Sequence, residues 1–494
     1  METVTIETPS GRLRGERLDD ADVFRAIPYA AAPVGERRFR PPAPFERWTG
    51  ERDALSFGAS APQLRGTVET YFGGRDAEQS EDCLTLNVWA PRHDGPHPVL
   101  VWIHGGAFLT GAAATPWYSG RPFARSGCVL VSVNYRLGAL GFTHLADHDG
   151  ERFAAAGNLG LLDQIAALQW IRDNVASFGG DAGNVTIFGE SAGGASVIAL
   201  LAAPGARGLF HRAIAQSPSI TQLRSRDRAK EAADELLHAL GIDAADVGRI
   251  IDVPVGQLMA AQGELVKDSA KSFTAFAPTP DGIVLPARPS DALANGAAGG
   301  VPVLLGTTRD EMHLFTFADP VYATMDETAL LARAERAFDG RAAVAITAYR
   351  AARPGYSPGQ LASAIATDET FRSPADRAAE ALTATGSPVW SYWFTHPSPA
   401  FGGLLGACHG LEIPFVFNNL HQRGVVLFTG DGDDRLPIGA EMHKAWVAFA
   451  AGGDPGWPRW DSTQRATRVF GAPGGVVADP EPELRELWAL TPRG

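Results

Sequence analysis

The stretch Gly189-Glu190-Ser191-Ala192-Gly193 constrains this chain more than any other. A β-type run, Val185-Thr186-Ile187-Phe188, precedes it, and a run of small residues, Gly194-Ala195-Ser196-Val197, follows. A serine set between a buried strand and a helix stands on a strained turn with its hydroxyl exposed, and the flanking glycines let strand and helix come close. The pentapeptide alone is weak evidence in a chain with 55 glycines; the strand, turn and helix around it carry the inference. They point to a nucleophilic serine in an α/β architecture.

Other β-type runs fit the same architecture. They are Val99-Leu100-Val101-Trp102-Ile103, Val129-Leu130-Val131-Ser132-Val133, Val301-Pro302-Val303-Leu304-Leu305 and Val389-Trp390-Ser391-Tyr392-Trp393-Phe394. Near-continuous apolar strands of this length are buried on both faces, as in a parallel sheet covered by helices. The clearest helix lies before the elbow strand. Leu161, Ile165, Leu168, Ile171, Val175 and Phe178 recur at spacings of three and four, which makes one helix face. Asn158 is its expected cap and Gly179-Gly180 its stop. Residues near 225–270 and 325–385 are Ala-rich and charged at helical spacing, so helical insertions are expected at about 220–300 and 320–385. At 494 residues the chain exceeds an ordinary core. With no repeat or low-complexity linker, one large domain over 1–494 is expected.

A serine alkoxide needs a base, and the base needs an orienting carboxylate. In an elbow architecture both follow the serine, acid first. The histidines after Ser191 are His211, His238, His313, His396, His409, His421 and His443. His409 lies in a Gly-flanked loop, Gly406-Ala407-Cys408-His409-Gly410, after the late strand, and leads the candidates without excluding the others. The acid should follow a strand. Val301 to Leu305 runs into Gly306-Thr307-Thr308-Arg309-Asp310-Glu311-Met312. Position alone leaves Asp310 and Glu311 level, each with a solvated loop charge as the alternative. Ile103-His104-Gly105-Gly106-Ala107-Phe108 follows a core strand, and its small residues let main-chain amides face a cavity, as an oxyanion hole requires. The amide of Ala192 would be the remaining donor.

Composition excludes several classes. The formal net charge is −13, which argues against nucleic acid or an anionic membrane as partner. No apolar run of about 18 residues is present, so no transmembrane helix is expected. Met1 to Glu7 lacks a basic head and apolar core, so a signal peptide is not expected. Three cysteines, Cys83, Cys128 and Cys408, give an odd count that fits reduced thiols and a cytoplasmic home. Neither CxxC nor HExxH occurs, so no metal is expected.

Taken in order, these segments resemble the type-B carboxylesterase and cholinesterase family of α/β-hydrolases, bacterial para-nitrobenzyl-esterase-like members in particular. Phe24-Arg25-Ala26-Ile27-Pro28-Tyr29-Ala30 and Arg38-Phe39-Arg40-Pro41-Pro42 look like the family's opening. Ser80-Glu81-Asp82-Cys83-Leu84-Thr85-Leu86-Asn87-Val88-Trp89 is similar to a family signature. Asn158 to Val197 is similar to another, and Asp281-Gly282, Gly306 to Glu311, His409-Gly410 and Met442-His443-Lys444-Ala445-Trp446 continue the match.

The resemblance implies an α/β-hydrolase fold with a central, mostly parallel sheet. It implies hydrolysis of uncharged carboxylic esters, aryl or alkyl and including bulky alcohols, through an acyl-enzyme on Ser191. Carbamate or amide cleavage by the same groups is the rival, and a non-catalytic binding protein a distant third. Glu311 becomes the acid and His409 the base, and Asp310 is then expected as a surface or loop residue. Gly106, Ala107 and Ala192 become the oxyanion donors, and His443 falls in a structural helix motif. Arg38 with Glu81 and Arg136 with Asp163 are implied as buried ion pairs. Glu190, Phe108, Leu314 and Phe315 are candidate substrate-binding residues, with core packing the alternative for the last three. No cofactor is implied, and monomer and dimer stay open. Two positions depart from the family pattern. Ala61 stands where secreted members carry the cysteine that pairs with the equivalent of Cys83. Gly73 stands where cholinesterases carry their choline-binding tryptophan, so choline recognition is not expected.

Overall fold

The computed structural model describes residues 2–64, 66, 78–267 and 275–491. Gly73 lies outside them.

The described residues form one thirteen-stranded sheet. Its N-terminal flank is β1 (Glu2–Thr8), β2 (Gly11–Arg17), β3 (Ala21–Pro28) and the short β4 (Glu51–Asp53). The centre holds β5 (Thr85–Pro91), β6 (His97–Ile103), β7 (Val129–Val133), β8 (Gly180–Glu190), β9 (Arg212–Gln216), β10 (Val303–Thr308) and β11 (Val389–Phe394). β12 (Ala466–Phe470) and β13 (Gly475–Ala478) close the far edge. The order is β1-β2-β3-β5-β7-β6-β8-β9-β10-β11-β12-β13, with β4 beside β2. Every pairing from β7 through β12 is parallel. The pairs β1–β2, β2–β3, β3–β5, β5–β7 and β12–β13 are antiparallel.

The apolar strands have two buried faces because each face meets its own core. Val99, Val101 and Ile103 of β6, with Val129, Val131 and Val133 of β7, join one cluster. Leu100, Trp102, Leu130, Phe188, Ile214, Leu304 and Trp390 join the other. Side chains alternate across a strand, so a run such as Val-Leu-Val-Trp-Ile feeds both cores at once. Helix α1 (Leu159–Asn174) packs Leu161, Leu168 and Ile171 into the first core. Helix α2 (Ala192–Ala202), buried along its whole length, leaves the elbow toward the same side.

The α1 pattern holds with two differences. A 3₁₀ turn takes over at Val175–Phe178 and ends at Gly179, whose φ is 76°. Asn158 makes no side-chain cap. Its amide group is spent across the fold, bonding the Thr279 carbonyl at 2.7 Å and amide at 2.9 Å and the Asp281 carboxylate at 2.8 Å.

Between β9 and β10 the chain makes α3 (Arg226–Ala239) and α4 (Val255–Val266). Between β10 and β11 it makes α5 (Glu327–Phe338), α6 (Ala342–Ala352), α7 (Pro358–Thr367) and α8 (Ser373–Ala384). A π-helical turn, Asp368–Arg372, joins α7 to α8. Helices α5, α6 and α7 share a separate core of Leu330, Phe338, Tyr349 and Leu361, joined by Trp488 near the C-terminus, whereas α3, α4 and α8 pack into the first sheet core. Helix α9 (Arg435–Gly452) covers the second sheet face through Met442, Trp446 and Phe449. Arg136 and Asp163 form a buried ion pair at 2.6 Å, and Arg38 meets Glu81 at 2.7 Å.

Candidate active site

Three parallel strands deliver the site from their carboxyl ends, where open α/β sheets place ligands. Ser191 follows β8, Glu311 follows β10, and His409 lies in the chain after β11. Ser191 has φ 59° and ψ −121°, a conformation that L-residues adopt only under constraint. The constraint is steric. A Cβ on Gly193 would lie 2.0 Å from the Ile103 carbonyl oxygen, and one on Gly189 would lie 2.6 Å from the Gly193 backbone. The Ser191 amide donates to Gln216 O of β9 at 3.0 Å, which pins the turn to the neighbouring strand.

The loop after β6 abuts this turn. A Cβ on Gly105 would lie 3.0 Å from both Ser191 Cβ and Glu190 Oε2. Gly106, Ala107 and Phe108 follow with φ of 113°, 56° and 60°, three consecutive left-handed residues of which two are not glycine. The amides of Gly106, Ala107 and Ala192 donate to no acceptor among the described residues. Unpaired amides beside a strained serine suit a developing negative oxygen. His104 at the base of the loop is neutral: burial pushes its pKa down to about 4, and its ring stacks on Tyr135 at 4.6 Å.

Glu311 is fully buried. Its Oε1 accepts from the Thr308 amide at 2.8 Å, and its Oε2 from His409 Nδ1 at 2.6 Å. A carboxylate on Nδ1 fixes that nitrogen as the donor and leaves Nε2 able to accept a proton. Nε2 lies 3.1 Å from Glu190 Oε1, although that contact lacks hydrogen-bond alignment. Among the described residues the Ser191 hydroxyl and His409 Nε2 are not hydrogen-bonded to each other. Such bonds often tighten only when substrate is bound.

Burial lowers the pKa of His409, but Glu190, Glu311 and the bond to Glu311 outweigh it and raise the pKa to about 9. That is higher than one orienting carboxylate implies, because a second faces the other nitrogen. Burial also pushes the Glu190 carboxyl up, with Glu311 adding to the shift and His409 opposing it. A third buried acid, Glu412, is raised by burial and by the charges of Glu190 and Glu311. Its Oε1 accepts from Gln216 Nε2 at 3.1 Å, and Gln216 Oε1 accepts from Trp446 Nε1 at 3.0 Å.

Among the candidate wall residues, Phe315 lies with its ring 5.4 Å from the imidazole of His409. Leu314 and Phe108 pack into the two cores, Phe108 edge-on to Phe142 at 5.0 Å. Sequence reasoning missed Phe371, whose ring lies 4.7 Å from His409 on the π-helical turn. It also missed Glu412 and Gln216. Glu412 has a sequence signal, being three residues after His409, whereas Gln216 and Phe371 have none.

Asp310 lies in the turn after β10, as the loop alternative had it, but not at the surface. It is 1% exposed. Its Oδ2 accepts from the Ala407 amide at 2.9 Å and its Oδ1 from Tyr356 Oη at 2.8 Å. The turn that points Glu311 at the histidine points its neighbour into the protein. His443, expected as structural, bonds Ser126 Oγ at 3.0 Å and the Val416 carbonyl at 2.9 Å. Among the described residues no group of His, Cys, Asp and Glu is arranged to hold a metal ion, and no helix is long and apolar enough to cross a membrane.

The Carboxylesterase family model matches residues 2–470. The chain is 37% identical to a para-nitrobenzyl esterase of Bacillus subtilis, over 97% of this chain and 97% of that protein. It is 38% identical to a phenmedipham hydrolase of Pseudarthrobacter oxydans, over 95% of this chain and 96% of that protein. The structure superposes on a Geobacillus stearothermophilus carboxylesterase with a TM-score of 0.88 and 43% identity, covering 98% of this chain and 99% of that one.

Proposed function

The chain belongs to the carboxylesterase family, and on that footing we propose that it hydrolyses uncharged carboxylic esters through an acyl-enzyme on Ser191. The observation that carries this reading is the 2.6 Å bond from His409 Nδ1 to buried Glu311, next to a strained Ser191. His409 Nε2 exchanges its Glu190 contact for Ser191 Oγ and takes the hydroxyl proton as Oγ attacks the acyl carbon. Glu311 holds the imidazole and stabilises its charged form. The amides of Gly106, Ala107 and Ala192 receive the tetrahedral oxyanion; one such donor contributes about 3 kcal/mol to the barrier. His409 returns the proton to the leaving alcohol. Water then repeats the cycle on the acyl-enzyme.

Phe315 and Phe371 flank the imidazole, which favours an apolar aryl or alkyl group over a charged one; Glu190 lies on the same ring. Relatives named for a para-nitrobenzyl ester and for phenmedipham support two bond classes on this site, ester first and carbamate second. We read the whole chain as one domain in keeping with its continuous sheet, and as a bacterial cytoplasmic protein in keeping with three buried, unpaired cysteines.

The test is Ser191→Ala with a fluorophosphonate probe. Turnover of para-nitrophenyl butyrate should fall on the order of 10⁶-fold, and the probe should add its mass to the Ser191 peptide of the wild type only. A folded Ser191→Ala protein that keeps more than a few per cent of activity refutes the assignment. Matched ester, carbamate and anilide substrates then rank the bond classes.

A further inference from the structure

We propose that Asp310 is a positioning residue for the Glu311–His409 pair, held in place by Tyr356 of the helical segment between β10 and β11. The proposal rests on the reading of His409 as base and Glu311 as its orienting acid.

The acid turn and the histidine loop are joined by more than the side-chain bond between acid and base. Asp310 N donates to Ala407 O at 2.9 Å, and Ala407 N returns a bond to Asp310 Oδ2 at 2.9 Å. His409 N donates to Glu311 O at 3.2 Å. Residues 310–311 and 407–409 therefore lie side by side, with Asp310 supplying a main-chain donor and a side-chain acceptor to the same residue. The fit has no slack: Gly406 has φ 55°, and a Cβ there would lie 2.6 Å from Asp310 Oδ2. Arg309 balances the charge, with Nε and Nη2 at 3.0 and 2.9 Å from Oδ2. Burial works against the ionised form, but Arg309, His313 and the Ala407 amide outweigh it and hold the carboxyl below its usual range.

The other oxygen, Oδ1, accepts from Tyr356 Oη. Tyr356 stands between α6 and α7, outside the sheet that carries the triad. Helix α7 makes two further bonds to the same stretch, Met312 N to Thr367 Oγ1 at 3.0 Å and Thr316 Oγ1 with Ser363 Oγ at 2.9 Å. Of these three bonds, the one from Tyr356 reaches the residue that also grips the histidine loop. A 2.6 Å charge-assisted bond depends steeply on placement. What fixes Asp310 therefore fixes the separation of Nδ1 from Oε2, and with it the basicity of Nε2. Asp310 touches no reacting atom, so its effect passes through His409.

The experiment compares wild type with Asp310→Asn, Tyr356→Phe and His409→Ala in the full chain. Rates are expressed per site titrated with a fluorophosphonate. Asp310→Asn sets an amide among donors; kcat should fall about 10²-fold, the scale of a small misplacement at a reacting centre, with KM little changed. Tyr356→Phe keeps the ring and removes one bond, for a loss of up to about tenfold. In both, the acid limb of kcat/KM should move toward lower pH, and the downfield proton resonance of the Nδ1–H bond should shift upfield. A scaffold role alone would lower Tm and leave limb and resonance in place; that result overturns the proposal. If Asp310→Asn does not fold, Tyr356→Phe decides: unchanged kcat and limb overturn the proposal. Inactive His409→Ala beside an unaltered Asp310→Asn overturns the positioning role alone. An active His409→Ala enzyme overturns the functional reading and the proposal together.

Discussion

Glu190 Oε1 lies 3.1 Å from His409 Nε2, while Glu311 Oε2 lies 2.6 Å from Nδ1 of the same ring. The imidazole is thus held between two buried carboxyl groups, one from the residue before Ser191 and one from the turn after β10. On the proposed roles, the first contact competes with Ser191 for the proton-accepting nitrogen, and the second supports it.

The competition has a sign. A base works only when neutral, and Glu190 is the largest of the influences that raise the His409 pKa to about 9. Activity is therefore expected to fall as pH drops through a limb lying above 6.5, the ordinary histidine value. Glu190→Gln should move that limb to lower pH by roughly 1 unit or more, since an opposite charge in contact shifts a pKa by about 1–3. The measurement is kcat/KM against pH for both proteins. A limb that stays put or rises in Glu190→Gln would separate Glu190 from the base.

Gly193→Ala should fail to give a normally folded protein, with a penalty above about 4 kcal/mol. The new methyl group would meet the Ile103 carbonyl oxygen at 2.0 Å, and that oxygen belongs to the backbone and cannot swing aside. Gly205→Ala is the control, because its Cβ would meet only Ile165 Cδ1 at 3.7 Å. Thermal melts followed by circular dichroism distinguish them; equal Tm values would contradict the steric account of the elbow.

His443→Ala should cost about 1–3 kcal/mol of stability by stranding the buried Val416 carbonyl, while Ser126 Oγ is exposed and can turn to water. Its kcat per titrated site should match wild type. A large kcat loss at unchanged Tm would give His443 a chemical role that its position does not suggest.

Cys83, Cys128 and Cys408 are all buried. Burial pushes the Cys128 thiol up to about 12 and raises Cys83 and Cys408 as well. Since the thiolate is the reactive form, the native protein should resist Ellman's reagent and release three equivalents of thiol once unfolded in guanidinium. Rapid labelling of the native state would show an opening that reaches one of them.

What the sequence makes legible here is whatever repeats along the chain or depends on one steric rule. The elbow is a steric rule about Gly189 and Gly193, and the two-faced strands are an alternation. Asn158 misleads because capping is the local use of such a side chain, whereas its bonds run 121 residues away to Thr279. Asp310 and Glu311 stay level for a related reason. They share a turn and a charge, and only the fold sends one to the imidazole and the other to Ala407 and Tyr356. Phe371 leaves no trace in any period, since the π-helical turn that presents it breaks the 3.6-residue pattern of α7 and α8.

The three buried glutamates bear on how the reaction ends as well as how it starts. Hydrolysis turns a neutral ester into an acid that ionises in water. Glu190, Glu311 and Glu412 are held close enough that their charges act on one another. A carboxylate product adds like charge to that group, whereas the incoming ester does not. In the pH range where Glu190 and Glu412 are ionised, that repulsion shortens the stay of the product anion and leaves the neutral ester untouched. The overall equilibrium, which no catalyst alters, is unchanged. The released acid should be a poor inhibitor beside an uncharged ketone of the same shape.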